Sequence, residues 1–323
     1  MKAMLSHSPG GPDTLKLETL PDPTPKKGEA IIDVKACGVN FPDFLIIQDK
    51  YQFKPARPFA PGGEVAGTIS AIGEGVTNVK IGDRVLASAG WGGMADKFVV
   101  EAWRCQKIPD SMPFDVASAL LLTYGTSQHA LKDRAKLKAG ETLLVLGAAG
   151  GVGLAAVILA VHLGAEVVAA ASSAEKREAA RAAGAAHVID SNAPDFDKQV
   201  MAATGGHGAD VIYDPVGMAP LTLVRSAAFA ARILIIGFTG GAIPDWPANR
   251  VLLKCISLIG VRAGEWSRHF THVRPEETAA LLARAASGAL KPRVTRRFAL
   301  ADAAQALHAL GDRKAIGRMV ISP

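Results

Sequence analysis

The chain has 323 residues, a formal net charge of +6, 49% hydrophobic residues and 20% charged residues. That size suits two domains with separate cores, and the balance excludes disorder, collagen and coiled coil. The basic surplus fits a phosphorylated small ligand or a nucleic acid, while Cys37, Cys105 and Cys255 are too scattered for a disulfide framework or a CxxC metal clip and point to a reducing compartment, the cytoplasm.

Residues 1–7 lack the apolar run of a secretory signal. From there to about residue 115 the pattern is mostly β. Short apolar runs such as 30–34 and 65–69 end at turns marked by Gly62-Gly63-Glu64, Gly73-Glu74-Gly75 and Gly82-Asp83-Arg84. Regular turns with little helix between them predict a distorted barrel.

The pattern changes after Pro113. Residues 115–132 have helical composition. Apolar strands then alternate with alanine-rich helices: strands at 143–146, 166–171, 187–190, 211–214, 233–236 and 257–261, and helices at 152–163, 174–183, 196–203, 221–228 and 250–254. Such alternation predicts right-handed βαβ units in a doubly wound parallel sheet. The most apolar stretch, 143–171, holds glycines, His162 and Glu166, and reads as two buried strands and a core helix, so no membrane partner is expected. A helix at 275–287 and strands at 294–298 and 318–321 follow, returning to the first domain. The expected domains are 1–115 with 262–323, and 116–261.

Gly147-Ala148-Ala149-Gly150-Gly151-Val152-Gly153 follows a strand and opens a helix, as AxGxxG. In such a loop Gly150 lets the backbone approach a pyrophosphate, Gly153 lets helix and strand pack closely, and the first helical amides face the anion. The second strand ends in Ala170-Ala171-Ser172-Ser173-Ala174-Glu175-Lys176-Arg177, without the acid that bonds the ribose of NAD. Ser172, Ser173 and Lys176 suit a 2′-phosphate, so NADPH is favoured over NADH. The bland alternative is that the serines cap the next helix and the cations lie on its solvated face.

With these residues placed, the chain resembles the zinc-free, zeta-crystallin-like quinone oxidoreductase branch of the medium-chain dehydrogenase/reductase superfamily over nearly its whole length. The markers are Gly38-Val39-Asn40-Phe41-Pro42-Asp43, Pro61-Gly62-Gly63-Glu64-Val65-Ala66-Gly67, Gly82-Asp83-Arg84-Val85, Thr123-Tyr124-Gly125-Thr126, the glycine loop, 184–190, Tyr213-Asp214-Pro215-Val216-Gly217 and Gly317-Arg318-Met319-Val320. Ile158 departs from the Gln usual in the branch. The resemblance implies an α/β protein, with a GroES-like catalytic domain joined to a Rossmann domain. It implies no zinc, because Asn40 and Gly63 stand where the zinc alcohol dehydrogenases place Cys and His, and their third ligand falls near Leu122 or Thr123. Hydride transfer then needs an acceptor that is already activated, a quinone or an α,β-unsaturated carbonyl.

The same resemblance places Asn40 and Asp43 in the cleft beside the nicotinamide, Asn40 as a donor to a carbonyl or ribose. Read without it, Asn40 is a turn residue and Asp43 a first-turn helix acid. Tyr51 either donates a proton or packs its ring. The resemblance puts Thr126, Gly237 and Phe238 near the nicotinamide, Ala149, Gly150, Gly151 and Val152 at the phosphates, Ser191 near the adenosine end, where the branch often has Tyr, and Arg318 near the cofactor. His269 and His272, flanked by Arg268 and Arg274, read as a solvated or substrate-facing loop rather than a metal site. The expected function is NADPH-dependent quinone reduction. The alternatives are an enone or enoyl-CoA reductase and a non-catalytic nucleotide- or RNA-binding protein; the scattered Lys/Arg and sparse aromatics argue against a nucleic-acid partner. An apolar last strand at 257–261 suggests a homodimer.

Overall fold

The computed structural model describes residues 1–270 and 274–323. In chain order the elements are β1 (Lys2–Leu5), β2 (Lys16–Thr19), β3 (Glu29–Gly38), α1 (Phe41–Ile46), β4 (Glu64–Ile72), β5 (Arg84–Ser88), β6 (Lys97–Glu101), β7 (Gln106–Lys107), α2 (Phe114–Ala117) and α3 (Leu121–Gln128). Next come β8 (Thr142–Val145), α4 (Gly151–His162), β9 (Glu166–Ala171), α5 (Ala174–Ala182), β10 (His187–Asp190), α6 (Phe196–Ala203), β11 (Ala209–Asp214), α7 (Pro220–Ser226), β12 (Ala227–Ile235), α8 (Ala248–Leu253) and β13 (Ser257–Gly260). The chain closes with α9 (Ala263–His269), α10 (Arg274–Ala286), β14 (Val294–Ala299), α11 (Ala303–Gly311) and β15 (Arg318–Ser322). Two compact units result: Met1–Leu122 with Ala280–Pro323, and Thr123–Ala279.

The first unit is built on β3. Its ten residues carry Ala30, Ile31, Ile32, Val34, Ala36 and Cys37 inward, with Lys35 exposed. β4 pairs antiparallel along its length, β6 pairs with Glu29–Asp33, and β15 pairs with Cys37 and Gly38. The sheet runs β14-β15-β3-β4-β5-β7. Ile32, Val34, Ile69 and Phe98 pack with Leu300 and Leu307 from the end of the chain, so the core closes only when the C-terminal segment is present.

The second unit is a six-stranded sheet in the order β10-β9-β8-β11-β12-β13, parallel throughout. The chain leaves β8 towards β9 and β10 and returns on the other side at β11, so the topological switch point lies between β8 and β11. α4 buries Leu154, Val157 and Leu159 on this sheet.

The structure departs from the sequence reading in three places. The single helix expected over 115–132 is α2, α3 and a π-helical turn at His129–Arg134. The break falls where the Ser118 carbonyl packs so closely on β3 that a Cβ on Gly38 would stand 2.0 Å from it. Residues 227–228, expected in a helix, begin β12, drawn into the sheet by parallel pairing with Ala209. The division between units falls after Leu122 and before Ala280, not at 115 and 262. Trp266 on α9 packs against His129 with tilted rings, centroids 5.2 Å apart, a contact within the second unit.

Gly67 on β4 is a packing constraint, since a Cβ there would stand 2.0 Å from the Asp33 carbonyl oxygen. Gly67→Ala is expected to cost roughly 1–3 kcal/mol through overpacking. Calorimetry reads this as a lower thermal midpoint, and an unchanged midpoint contradicts it.

Candidate active site

The glycine loop joins β8 to α4. Gly147 takes φ +56, in the left-handed region, and a Cβ on Gly153 would lie 2.2 Å from the Gly147 carbonyl oxygen. Helix and strand can meet here only with glycine at 153. Gly150 is the N-cap of α4, with extended backbone, and a Cβ there would meet nothing closer than Gly147 O at 3.4 Å. The space beside Gly150 is therefore not needed by the protein itself. Ala149 is buried, while Gly151 and Val152 form the first turn, whose amides have no intrahelical acceptor. This cradle fits an anion such as a pyrophosphate.

At the end of β9, Ser172 and Ser173 are exposed, with no carboxylate at the strand end. Ser173 is the N-cap of α5 and its hydroxyl accepts from the Lys176 N–H at 3.3 Å. Lys176 is half-buried. Arg177 lies across the ends of β9 and β10, donating to Ala171 O at 3.2 Å and to the Asp190 carboxylate at 3.0 Å. Ser191 donates its backbone N–H to Ala171 O and lines a cavity of about 160 Å³ with Asn192, Asp197, Thr222 and Arg225. Thr126 is half-buried on α3. Next to it, the Ser127 hydroxyl donates to Val152 O and meets the buried Tyr213 hydroxyl, both at 2.9 Å, tying α3 to α4 and β11. Gly237 is half-buried and Phe238 is 37% exposed.

In the first unit Asn40, Asp43 and Arg318 are brought together. Asn40 is the N-cap of α1. The Asp43 carboxylate accepts the Asn40 N–H at 2.8 Å and the Gly62 N–H at 3.1 Å, clamping α1 to the Pro61–Gly63 turn. Gly62 has φ +98, and a Cβ there would crowd Met94 N and Cys37 Sγ. Arg318, on β15, is only 5% exposed. Its Nη1 donates to Asn40 Oδ1 at 2.7 Å and to Val39 O at 3.2 Å, and its Nη2 donates to Glu64 at 3.2 Å. Asn40 Nδ2 donates to Gly38 O at 3.1 Å. Burial pushes the Asp43 carboxyl up to about 6, its amide donors and Arg318 only partly offsetting this. Burial likewise pushes Glu64 up against the opposing pull of Arg318. The Cys37 thiol is held well above its usual range by burial and by the Asp43 and Glu64 carboxylates, so it stays a protonated apolar filler. Tyr51 is half-buried, its ring edge-on to Phe53 and packed on the core.

Arg177, one of the two cations expected on a solvated helix face, instead bonds Ala171 O and Asp190, and the burial of Glu64 was not expected. In the sequence Glu64 closes the Gly62-Gly63-Glu64 turn. An acid directly before the apolar run Val65-Ala66 is itself a signal, because a buried carboxylate demands a cation. Among the described residues no three His, Cys, Asp or Glu side chains are placed to hold a metal ion. His269 bonds to Glu265 with Arg262 and Arg268, and His272 lies outside the described residues. No helix among them is long and apolar enough to cross a membrane.

A GroES-like first unit and a doubly wound second unit with a glycine loop define the class of a two-domain dehydrogenase or reductase. The alcohol dehydrogenase GroES-like domain model matches residues 26–110, and the zinc-binding dehydrogenase model matches residues 151–285. The quinone oxidoreductase-like protein 2 homolog of Nematostella vectensis is 37% identical over 294 residues, covering 90% of this chain and 80% of that protein. The structure of Escherichia coli quinone oxidoreductase complexed with NADPH superposes with a TM-score of 0.92 at 27% identity, over the whole of both chains. The CurK enoyl reductase structure gives 0.88 at 28% identity, over 99% of each. The chain belongs to the quinone oxidoreductase branch of the medium-chain dehydrogenase/reductase superfamily, and is an oxidoreductase.

The Asp43 value sets a pH dependence. Its folded-state value, about 6, lies above the ordinary 3.8, so its contribution to stability is complete below about pH 4 and is lost as the pH rises through 6. The stability of the wild type relative to Asp43→Asn is expected to fall by up to about 3 kcal/mol from pH 4 to pH 7. Denaturant midpoints across that range test this, and a pH-independent difference contradicts it.

Proposed function

We propose that the protein is a zinc-independent, NADPH-dependent reductase of quinones, acting in the cytoplasm. The observation that carries this reading is the donor set around Asn40. In place of a thiolate and an imidazole, the positions hold a carboxamide and a glycine, and the nearby cation is the Arg318 guanidinium. Such a set offers hydrogen bonds but no ligands for a Lewis acid, so the acceptor must bring its own activation. A quinone does so, because its conjugated carbonyls take up the incoming charge.

NADPH supplies the hydride when bound. The loop fits its pyrophosphate at Gly150, Gly151 and Val152, and Ser172, Ser173 and Lys176 suit the 2′-phosphate. Ser191 serves the adenosine end, and Thr126, Gly237 and Phe238 serve the nicotinamide. In the first unit, Asn40 donates its Nδ2–H to the acceptor carbonyl. Asp43 holds Asn40 and the Pro61–Gly63 turn in place through its two backbone N–H bonds. The Tyr51 hydroxyl is the candidate donor of the proton that completes reduction. An activated double bond, in an enone or enoyl thioester, is the second reading; the likeness to the CurK enoyl reductase favours it.

Oxidation of NADPH and of NADH by the purified protein, with quinones, enones and an enoyl-CoA, tests the reading. NADPH with a quinone is expected to be fastest. Lys176→Ala is expected to weaken NADPH by about 10–100-fold while leaving NADH nearly unchanged, one charge-assisted phosphate contact being worth about 1.5–3 kcal/mol. Equal losses for both cofactors sink the 2′-phosphate assignment.

The reading includes a homodimer through the free edge of β13. Among the described residues that strand pairs only with β12, and Phe229, Leu252 and Leu253 stand 71%, 75% and 68% exposed, their segments tied by the Ala230 N–H to Lys254 O bond. Leu252→Glu with Leu253→Glu is expected to halve the mass measured by light scattering, and a wild type already monomeric at micromolar concentration refutes the dimer.

A further inference from the structure

Asp214 closes β11 and is 4% exposed. Its carboxylate gathers three backbone amides of the loop that follows. One oxygen accepts the Val216 and Gly217 N–H groups, both at 2.8 Å, and the other accepts the Met218 N–H at 3.1 Å. Burial raises this carboxyl above its ordinary value, and the three amides only partly offset the rise. A single buried side chain thus sets the path of the loop.

That loop supports two others. Its Pro215 carbonyl accepts both the N–H and the hydroxyl of Thr239, at 3.1 and 3.0 Å, and its Val216 carbonyl accepts the Gly240 N–H at 2.8 Å. Gly217 takes φ +80, and a Cβ there would stand 3.1 Å from the Phe238 ring, so the ring lies against the loop where glycine leaves room. On the other side Val216 reaches the head of the glycine loop, since a Cβ on Gly147 would stand 3.2 Å from a Val216 methyl. The chain segments that leave β8, β11 and β12 therefore meet at the loop held by Asp214. They do so at the carboxyl ends of the strands, beside the switch point, where open parallel sheets bind their ligands.

We propose that Asp214 is a positioning residue for the nicotinamide half of the cofactor: by holding the Pro215–Met218 loop it sets the Thr239–Gly240 turn and the Phe238 ring that face the nicotinamide. This rests on the reading of Gly237 and Phe238 given under Proposed function. A carboxamide cannot replace the carboxylate here. It has one acceptor oxygen, and its NH₂ end would meet a backbone N–H on whichever side it lay.

The test separates the two halves of the cofactor by calorimetric titration of the full chain with NADPH and with 2′-phospho-ADP-ribose, which lacks the nicotinamide. Asp214→Asn is expected to weaken NADPH by about tenfold, the scale of one lost hydrogen bond, and to leave 2′-phospho-ADP-ribose within about twofold of wild type. A merely structural role would move both ligands together or neither, and either result overturns the proposal. Phe238→Ala is the control on the underlying reading and is expected to weaken NADPH alone. If Phe238→Ala moves both ligands alike, or neither, the nicotinamide assignment of Phe238 fails and the positioning role fails with it. If Phe238→Ala is selective and Asp214→Asn is not, the positioning role alone fails. Should Asp214→Asn not accumulate folded, Thr239→Val takes its place: it removes the hydroxyl bond to Pro215 O and leaves the carboxylate and its three amides in place. A selective loss of NADPH of about two- to fivefold is then expected, and an unselective loss or none overturns the proposal.

Discussion

The guanidinium of Arg318 is the constraint around which the first unit is arranged. Three pieces of chain distant in sequence meet on it: the turn between β3 and α1 through Val39 and Asn40, the start of β4 through Glu64, and β15 through its own backbone. A buried ion pair is weak support for stability in itself, but removing one partner leaves an uncompensated charge and is strongly destabilising. The pair thus works as a specifier. It admits one register of β15 against β3, the one that pairs Val320 with Gly38 and Ile321 with Cys37, and it requires glycine at 38. Asp43 adds a second clamp at the same turn, using backbone donors instead of a cation.

The second unit solves a different problem. It has to bring a helix end to a strand end with nothing between them, and Gly147 and Gly153 do this by removing two side chains. Beyond that contact the work is done by the parallel sheet, whose order places a switch point next to the loop. At the far end of β9 Ser172 and Ser173 are exposed, and Arg177 is engaged by Asp190. Arg177 thereby holds the ends of β9 and β10 together.

Much of this was legible in the residues. The strands at 166–171 and 187–190 fall where apolar periodicity puts them, because parallel strands buried on both faces read as continuous apolar runs. The glycine loop was legible for the same local reason. The broken helix after Pro113 was not, because the break follows from the Ser118 carbonyl packing on Gly38, about 80 residues earlier in the chain. Residues Asn40, Asp43 and Arg318 were each singled out, but not that Arg318 reaches Asn40 and Glu64. Long-range pairing of a cation with a carboxylate leaves no periodic trace, and only the anomaly of an acid among apolar residues points to it. Tyr51 was open between two roles, and its edge-on packing against Phe53 is compatible with both.

The cation that completes the first unit arrives last. Arg318 is separated from Asn40 by 278 positions and from Glu64 by 254, with the whole second unit lying between them in the chain. A growing polypeptide therefore presents β3 and β4 long before the counter-charge for Glu64 exists. Until then that acid stays hydrated or takes up a proton, because burying a lone carboxylate is costly. The nucleotide-binding sheet, contiguous from Thr142 to Gly260, has no such dependence and can close first. Synthesis order thus meets the charge pattern: the unit whose first strands emerge early gains the counter-charge for its buried acid only with its last strand.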